Sequence, residues 1–107
     1  MTSKGVELAT PYTLGIWHVR PGHADDFVEA WTEFADLTVE QASGSGWGRL
    51  LRDMENPDRF ISVGPWESLA AIEGWRALDG FRQRVGRIRQ LLVSFEPATL
   101  ELVAERG

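Results

Sequence analysis

The sequence has 107 residues, of which 43% are hydrophobic and 25% are charged, and it carries a formal net charge of −5. This composition is typical of a soluble globular domain, and its acidic balance argues against nucleic-acid binding, which depends on an excess of Lys and Arg. Because no cysteine is present, disulfides, thiolate catalysis and iron-sulfur clusters are excluded. With neither a signal-peptide pattern nor a long apolar segment, we expect a single cytoplasmic domain over residues 1–107 that does not bind membranes.

The first two predicted elements are a strand and a helix. Residues 12–19 are rich in β-branched and aromatic side chains and are followed by Pro21 and Gly22, which predicts a strand that ends in a turn. From Ala24 the apolar residues recur at helical spacing while acidic residues occupy the opposite face. This pattern predicts an amphipathic helix that ends in the Gly/Ser-rich residues 43–46.

The second half of the chain predicts a hairpin, a broken helix and a last strand. Residues 47–54 and 59–64 are typical of two strands joined by a short turn. Ser68 stands where a helix N-cap is expected. We expect the helix to break near Asp79-Gly80 and to resume with one apolar stripe, after which Pro97 ends the connection to a strand over residues 98–103. The stripe consists of Phe81, Val85, Ile88 and Leu92.

The order of these elements is βαββαβ, which is the ferredoxin-like α+β arrangement of an antiparallel sheet with two helices on one face. The strands are apolar on both sides, however: the first has Leu14 and Ile16 on one face and Trp17 and Val19 on the other. Two helices cover only one face, so we predict that a second copy of the chain covers the other in a homodimer. The alternative is a monomer with a partly exposed apolar sheet.

The segment that follows the third predicted strand carries the most informative motif. It places aromatic residues at a strand-to-helix corner, in the helix and after its break, and it contains Arg59-Phe60, Gly64-Pro65-Trp66-Glu67-Ser68, Trp75-Arg76 and Phe81. Over residues 12–103 the chain resembles the antibiotic biosynthesis monooxygenase family. Family members are small dimeric α+β barrels that include oxygenases of aromatic polyketides, quinol oxidases and haem-degrading enzymes, so the resemblance also implies a homodimer.

The resemblance implies a cofactor-independent monooxygenase or oxidase that uses O2 on a phenol, anthrone or quinol. Triplet O2 reacts slowly with closed-shell organic molecules, so a protein without metal or flavin needs a small aromatic substrate that is electron-rich once deprotonated. The protein would supply a dry aromatic pocket and a hydrogen bond or positive charge for the phenolate. The alternatives are a non-catalytic dimer that binds a small molecule and a polyketide cyclase.

Trp66 and Ser62 are the catalytic candidates. In family oxygenases the tryptophan that corresponds to Trp66 lines the pocket, and an indole N–H can donate to a substrate oxygen. Ser62 precedes it on the same face of the strand. Trp17 is a candidate for substrate binding. The alternatives are that Trp66 only packs the corner, that Ser62 bonds to backbone, and that Trp17 belongs to the core, as we expect for Trp31 and Trp75.

The last helix supplies the remaining candidates for substrate binding. At 100° per residue Arg82 and Arg89 project from the same edge of the apolar stripe, where either could bind an anionic substrate. We count Phe81 and Val85, both on the stripe, as further substrate contacts. The alternative for the arginines is that this basic helix lies beside the acidic first helix and forms surface ion pairs with Glu29, Glu33 or Asp36.

Metal and haem sites are not expected. Only two histidines are present, His18 and His23, and no third ligand accompanies them at a metal-binding spacing. His18 could act as a base near neutral pH, but a hydrogen-bonded interface histidine is the preferred interpretation. The haem-degrading branch of the resembled family carries its haem-ligating histidine where this chain has Val85 and an asparagine near Gly15. Both differences argue against haem.

Overall fold

The computed structural model describes residues 10–107. These form four strands and three helices in the order β1 (Pro11–Val19), α1 (Ala24–Gln41), β2 (Arg49–Arg52), β3 (Arg59–Pro65), α2 (Leu69–Arg76), α3 (Asp79–Arg89) and β4 (Leu92–Glu101). The strands pair antiparallel in the sheet order β2-β3-β1-β4. The predicted ferredoxin-like α+β fold is therefore confirmed, with the second predicted helix divided in two.

The main core lies between the sheet and the helices. Alternate residues of the central strands, Trp17 and Val19 on β1 and Phe60 on β3, are buried on the face toward the helices. They pack against Phe27 of α1 and Ile88 of α3, both of which are fully buried. The apolar residues that recur at helical spacing in the sequence thus form the face of α1 that packs against the sheet.

Local signals in the sequence account for the element boundaries. The turn after β1 contains Gly22 at φ 87°, a left-handed conformation that glycine adopts without steric cost. The Ser68 side chain accepts a hydrogen bond from the Ala71 N–H at 3.1 Å, so the predicted N-cap of α2 is confirmed. The helix breaks at Ala77 and Leu78, directly before the predicted position, since Leu78 adopts an extended backbone at φ −64° and ψ 138°.

The last strand begins earlier than the sequence suggests. We predicted helix up to Leu92 and a strand only from residue 98, but β4 already starts at Leu92 and continues through Pro97. A proline is tolerated there because β4 is an edge strand, which among the described strands pairs with β1 alone. The register shifts between His18 and Val19 of β1, which leaves Val93 outside the ladder as a bulge.

No helix within residues 10–107 packs on the opposite face of the sheet, which we call the outer face. Ile61 lies between Leu51 of β2 and Ile16 of β1 on this face, and Val63 pairs with Leu14 in the next row. The predicted apolar second face is therefore present. Among the same described residues, no helix is long and apolar enough to cross a bilayer.

Candidate functional site

A cavity of about 580 Å³ lies between the sheet and the three helices. Its size falls within the ordinary range of pockets for small ligands, about 300–1,000 Å³. Aromatic rings from the sheet, all three helices and the loop before β2 form its walls: Trp17, Trp31, Phe34, Trp47, Trp66, Trp75, Phe81 and Phe95. Such walls suit a flat, apolar ligand.

Two of these tryptophans donate their indole N–H to hydroxyl groups on the neighbouring strand. Trp17 Nε1 donates to Ser62 Oγ at 2.9 Å, and Trp66 Nε1 donates to Thr13 Oγ1 at 2.9 Å. Trp66 is only 5% exposed, so it combines a packing role with a lining role. Its N–H, which we expected to be available to a substrate oxygen, is thus already engaged by Thr13.

The indole bonds leave the two hydroxyl protons available. A serine or threonine hydroxyl donates one hydrogen bond and accepts up to two, and the oxygens of Ser62 and Thr13 act here as acceptors. Within residues 10–107 neither hydroxyl donates to another group. Thr38 differs, because its oxygen accepts from Trp75 Nε1 at 2.8 Å while its proton goes to the Phe34 carbonyl at 2.9 Å. Ser62 and Thr13 can therefore donate to a ligand.

The strand register brings these two donors to one place. Thr13 pairs with Gly64, and Gly15 pairs with Ser62, so Thr13 and Ser62 are diagonal neighbours on adjacent strands. Such neighbours on one face lie about 7–8 Å apart. Neither glycine leaves room for a side chain: a Cβ atom would lie 3.0 Å from Ser62 Oγ at Gly15 and 2.5 Å from the Trp47 carbonyl oxygen at Gly64. One aromatic ring with two oxygen substituents could meet both hydroxyls.

Two arginines line the cavity. Arg89 ends α3, and Arg76 ends α2 and donates through Nη2 to Thr99 Oγ1 of β4 at 3.4 Å. Arg82, the other predicted candidate, is exposed and lies outside the cavity lining. The alternative prediction for this helix, surface ion pairs with α1, holds for Arg87. Its Nη1 donates to Glu33, and its Nη2 lies 3.9 Å from Glu29 Oε1.

Within the described part of the chain, the cavity lining includes no His, Asp, Glu, Lys or Tyr side chain. His18 is on the outer face, where Nε2 lies 3.0 Å from Glu96 Oε2, and His23 is at the start of α1 beside Asp26. Residues 10–107 contain no cluster of three metal-ligating side chains. Among the described residues of the lining, no such side chain is therefore placed to accept a proton from a ligand.

Two side chains outside the cavity have shifted pKa values. The backbone N–H of Glu55 donates to Asp53 and lowers the pKa of that carboxyl, with smaller contributions from Asn56 and Arg59. Glu33 raises the pKa of Arg87 by a hydrogen bond and by its charge. Both shifts result from surface contacts, one within the hairpin turn and the other between α3 and α1.

The cavity brings together six of the seven residues that the sequence suggested: Trp66, Ser62, Trp17, Phe81, Val85 and Arg89. Their roles in catalysis and binding stay predictions. Sequence reasoning missed other residues of the cavity lining, among them Thr13, Trp31, Trp75 and Arg76. Both tryptophans follow the apolar stripes of their helices, and a stripe that faces a cavity has the same period as one that faces solid core.

The sequence matches the family model described as antibiotic biosynthesis monooxygenase over residues 14–87. The chain belongs to this family. No curated protein matches the sequence. The match confirms the predicted family membership, and it covers most of β1, all of α1 and the hairpin, and most of the cavity lining.

Solved structures share the fold of this family member at low sequence identity. One is SnoaB, a cofactor-independent oxygenase from Streptomyces nogalater, which is 18% identical with a TM-score of 0.81 over 92% of this chain and 96% of SnoaB. A conserved protein from Methanosarcina mazei Go1 is 13% identical, with a TM-score of 0.83 over 92% of this chain and 97% of that one. A protein from Pseudomonas aeruginosa is 21% identical, with a TM-score of 0.75 over 91% and 98%. At these identities the likeness establishes the fold alone.

Proposed function

We propose that this family member is a cofactor-independent oxygenase or oxidase of an electron-rich aromatic molecule: a phenol, an anthrone or a quinol. The observation that carries the proposal is the aromatic-walled cavity in which the Ser62 and Thr13 hydroxyls have protons to donate. Family membership and the shared fold of the oxygenase SnoaB support the same reaction class.

The substrate supplies the electrons in this reaction. A quinol gives two electrons and two protons to O2, which yields the quinone and hydrogen peroxide. An anthrone takes one oxygen atom at its CH2 carbon, which becomes a carbonyl, while the second oxygen atom leaves as water with the two hydrogens. In either case the first step is electron transfer from the deprotonated substrate to O2, so the protein favours the reaction by stabilising the phenolate or enolate.

Ser62 and Thr13 are suited to that stabilisation. Hydrogen bonds to an oxyanion strengthen as negative charge develops, and they are stronger in an apolar cavity than in water. Each hydroxyl is held by an indole N–H at 2.9 Å, so its proton is directed away from the tryptophan. Trp17 and Trp66 therefore position the two donors and also contact the aromatic ring of the substrate. In this arrangement Trp66 acts on the substrate oxygen indirectly, through the Thr13 hydroxyl.

The two other candidate functions differ in what they require of the cavity. A polyketide cyclase needs acid-base groups, and the described residues that line the cavity supply no side chain that titrates near neutral pH. A non-catalytic binding protein needs only the walls and the donors, so the cavity is compatible with it. Turnover with O2 separates this second candidate from the proposed enzyme.

Oxygen uptake by chelator-treated protein with 1,4-naphthohydroquinone tests the proposal. We expect uptake above the spontaneous rate, with hydrogen peroxide formed in equal amount to the quinone. Ser62→Ala should lower kcat/KM about 10- to 100-fold through the loss of one donor to a charged oxygen. Ser94→Ala, on the outer face of β4, is the control. Binding without uptake would favour the non-catalytic alternative.

We also propose that the protein functions as a homodimer in which a second copy covers the outer face. The support is the row of apolar side chains that runs across β2, β3 and β1 through Leu51, Ile61 and Ile16. When such a row packs against the same row of a second copy, apolar surface is removed from water. This burial stabilises the dimer by about 25 cal/mol per Å² of apolar surface. The helices and the cavity lie on the opposite face of the sheet, so pairing of this kind leaves the cavity accessible.

A further inference from the structure

The charge of the cavity is opposite to that of the protein. The whole chain has 16 acidic residues against 11 Lys and Arg. Within residues 10–107, the only charged side chains that line the cavity are Arg76 and Arg89. A cavity whose charged side chains are all cationic attracts anions, even when the protein as a whole is acidic.

Neither arginine is neutralised by an acid among residues 10–107. The ion pairs of arginines in that part of the chain join Arg59 to Asp53 and Arg87 to Glu29 and Glu33. Among the same residues, the hydrogen bond of the Arg76 side chain goes to the neutral Thr99 hydroxyl, at 3.4 Å. Cations at the last turn of a helix also interact favourably with the helix dipole, but that effect does not require their side chains to line a cavity.

The two arginines and the two hydroxyls occupy different parts of the cavity. Arg76 and Arg89 are exposed, and they lie at the two ends of β4: Arg76 bonds Thr99, and Arg89 ends the helix just before Leu92. Ser62 and Thr13 lie deeper, on the central strands β3 and β1. The exposed parts of the cavity near the two ends of β4, which we call its mouth, are therefore cationic. The part over the central strands, which we call its floor, is neutral and carries two donors.

We propose that the aromatic substrate is an anion that carries a carboxylate or a comparably acidic substituent. Arg76 or Arg89 binds this substituent at the mouth, while the oxygens on the reacting ring meet Ser62 and Thr13. This orientation depends on the proposed function, whereas the preference for an anion depends only on the charges. Arg76 and Arg89 are then specificity residues, and an uncharged analogue of the same shape still binds but more weakly.

A matched pair of probes tests this inference: 1,4-dihydroxy-2-naphthoic acid, which is anionic at neutral pH, and its uncharged methyl ester. Dissociation constants are measured without oxygen, by quenching of tryptophan fluorescence, and kcat/KM is measured by oxygen uptake. We expect the acid to bind about 10-fold more tightly than the ester. The preference should fall close to 1 in the double variant Arg76→Gln/Arg89→Gln, and high salt should weaken it.

Two further variants separate charge from structure. Arg82→Gln makes the same change on the exposed, non-cavity side of α3 and should keep the preference. Arg76→Lys/Arg89→Lys keeps both charges and should keep most of it. Equal dissociation constants for acid and ester in the unmodified protein, failure of both to bind, or a preference that survives in the double Gln variant would overturn the inference. A clear preference without oxygen uptake upholds it and counts only against the proposed oxygenase.

Discussion

Gly15 pairs with Ser62 across β1 and β3, and its lack of a side chain provides the space in which the Trp17 indole reaches the Ser62 hydroxyl. A Cβ atom at Gly15 would lie 3.0 Å from Ser62 Oγ, 2.9 Å from Trp17 Nε1 and 2.9 Å from Phe95 Cε1. All three approaches are closer than ordinary van der Waals contact. The absence of a methyl group at Gly15 thus leaves room for the hydrogen bond between Trp17 and Ser62 and for the Phe95 ring beside it.

Gly15→Ala should therefore destabilise the protein. Overpacking of this kind costs about 1–3 kcal/mol, because Trp17 and Phe95 must leave their stacked arrangement. Denaturant unfolding followed by tryptophan fluorescence measures the change. Gly86→Ala is the matched control, since a Cβ added at Gly86 would meet no atom within 4 Å, and alanine in a helix should stabilise by about 0.5–1 kcal/mol. Equal effects of the two substitutions would contradict the role of Gly15.

The hydrogen bond between Trp66 and Thr13 predicts that substitutions at these two residues have non-additive effects on the free energy of unfolding. Thr13→Val leaves the buried indole N–H without an acceptor, and Trp66→Phe removes the donor. Once one partner is lost, losing the other should cost less, so the double variant should be about 1 kcal/mol more stable than the sum of the single changes. Denaturant unfolding of the four proteins gives this coupling.

A second double-mutant cycle serves as the control and uses Thr32 instead of Thr13. Thr32 is an exposed threonine of α1, and its hydroxyl donates to the Val28 carbonyl of the same helix. Thr32→Val and Trp66→Phe should add to within a few tenths of a kcal/mol. Coupling of similar size in both cycles would mean that the Trp66–Thr13 hydrogen bond is not its source.

Much of the fold can be predicted from local sequence patterns. The one clearly wrong prediction, the start of the last strand, has a long-range cause. The apolar spacing of α1, the cap at Ser68 and the helix break before Asp79 are each set by residues close in sequence. The start of β4 at Leu92 is not, because Pro97 opposes a strand unless the segment lies at an open sheet edge. That position depends on the pairing with β1, about 80 residues away along the chain.

The cavity could be predicted only in part, for a similar reason. Strand alternation places Ser62 and Trp66 on one face, as predicted, but it does not show that Thr13 accepts the Trp66 N–H from another strand. Helical angle alone likewise treats Arg82 and Arg89 as equivalent. They are separated by about 10 Å along the axis, and the one nearer to β4 lines the cavity.

The apolar outer face predicts that the oligomer can be broken by one charge. Ile61 has apolar neighbours on both adjacent strands, so Ile61→Lys should place a cation at the centre of the proposed dimer interface. Light scattering at micromolar concentration should then give a dimer mass for the unmodified protein and a monomer mass for the variant. Met54→Lys, at a fully exposed residue of the hairpin turn, should remain dimeric. A monomer mass for the unmodified protein would refute the dimer.

The lack of a side chain that titrates near neutral pH among the described residues of the cavity lining predicts how the reaction depends on pH. If no protein group accepts the phenolic proton, kcat/KM should rise with pH as the substrate itself ionises, with a midpoint at the substrate's own pKa. Two quinols whose pKa values differ by about one unit should shift the midpoint by that amount. His18→Asn should leave both midpoints unchanged, because His18 lies on the outer face beside Glu96. A midpoint that is the same for both quinols would show that a protein group titrates, and would contradict the assignment of the proton to the substrate.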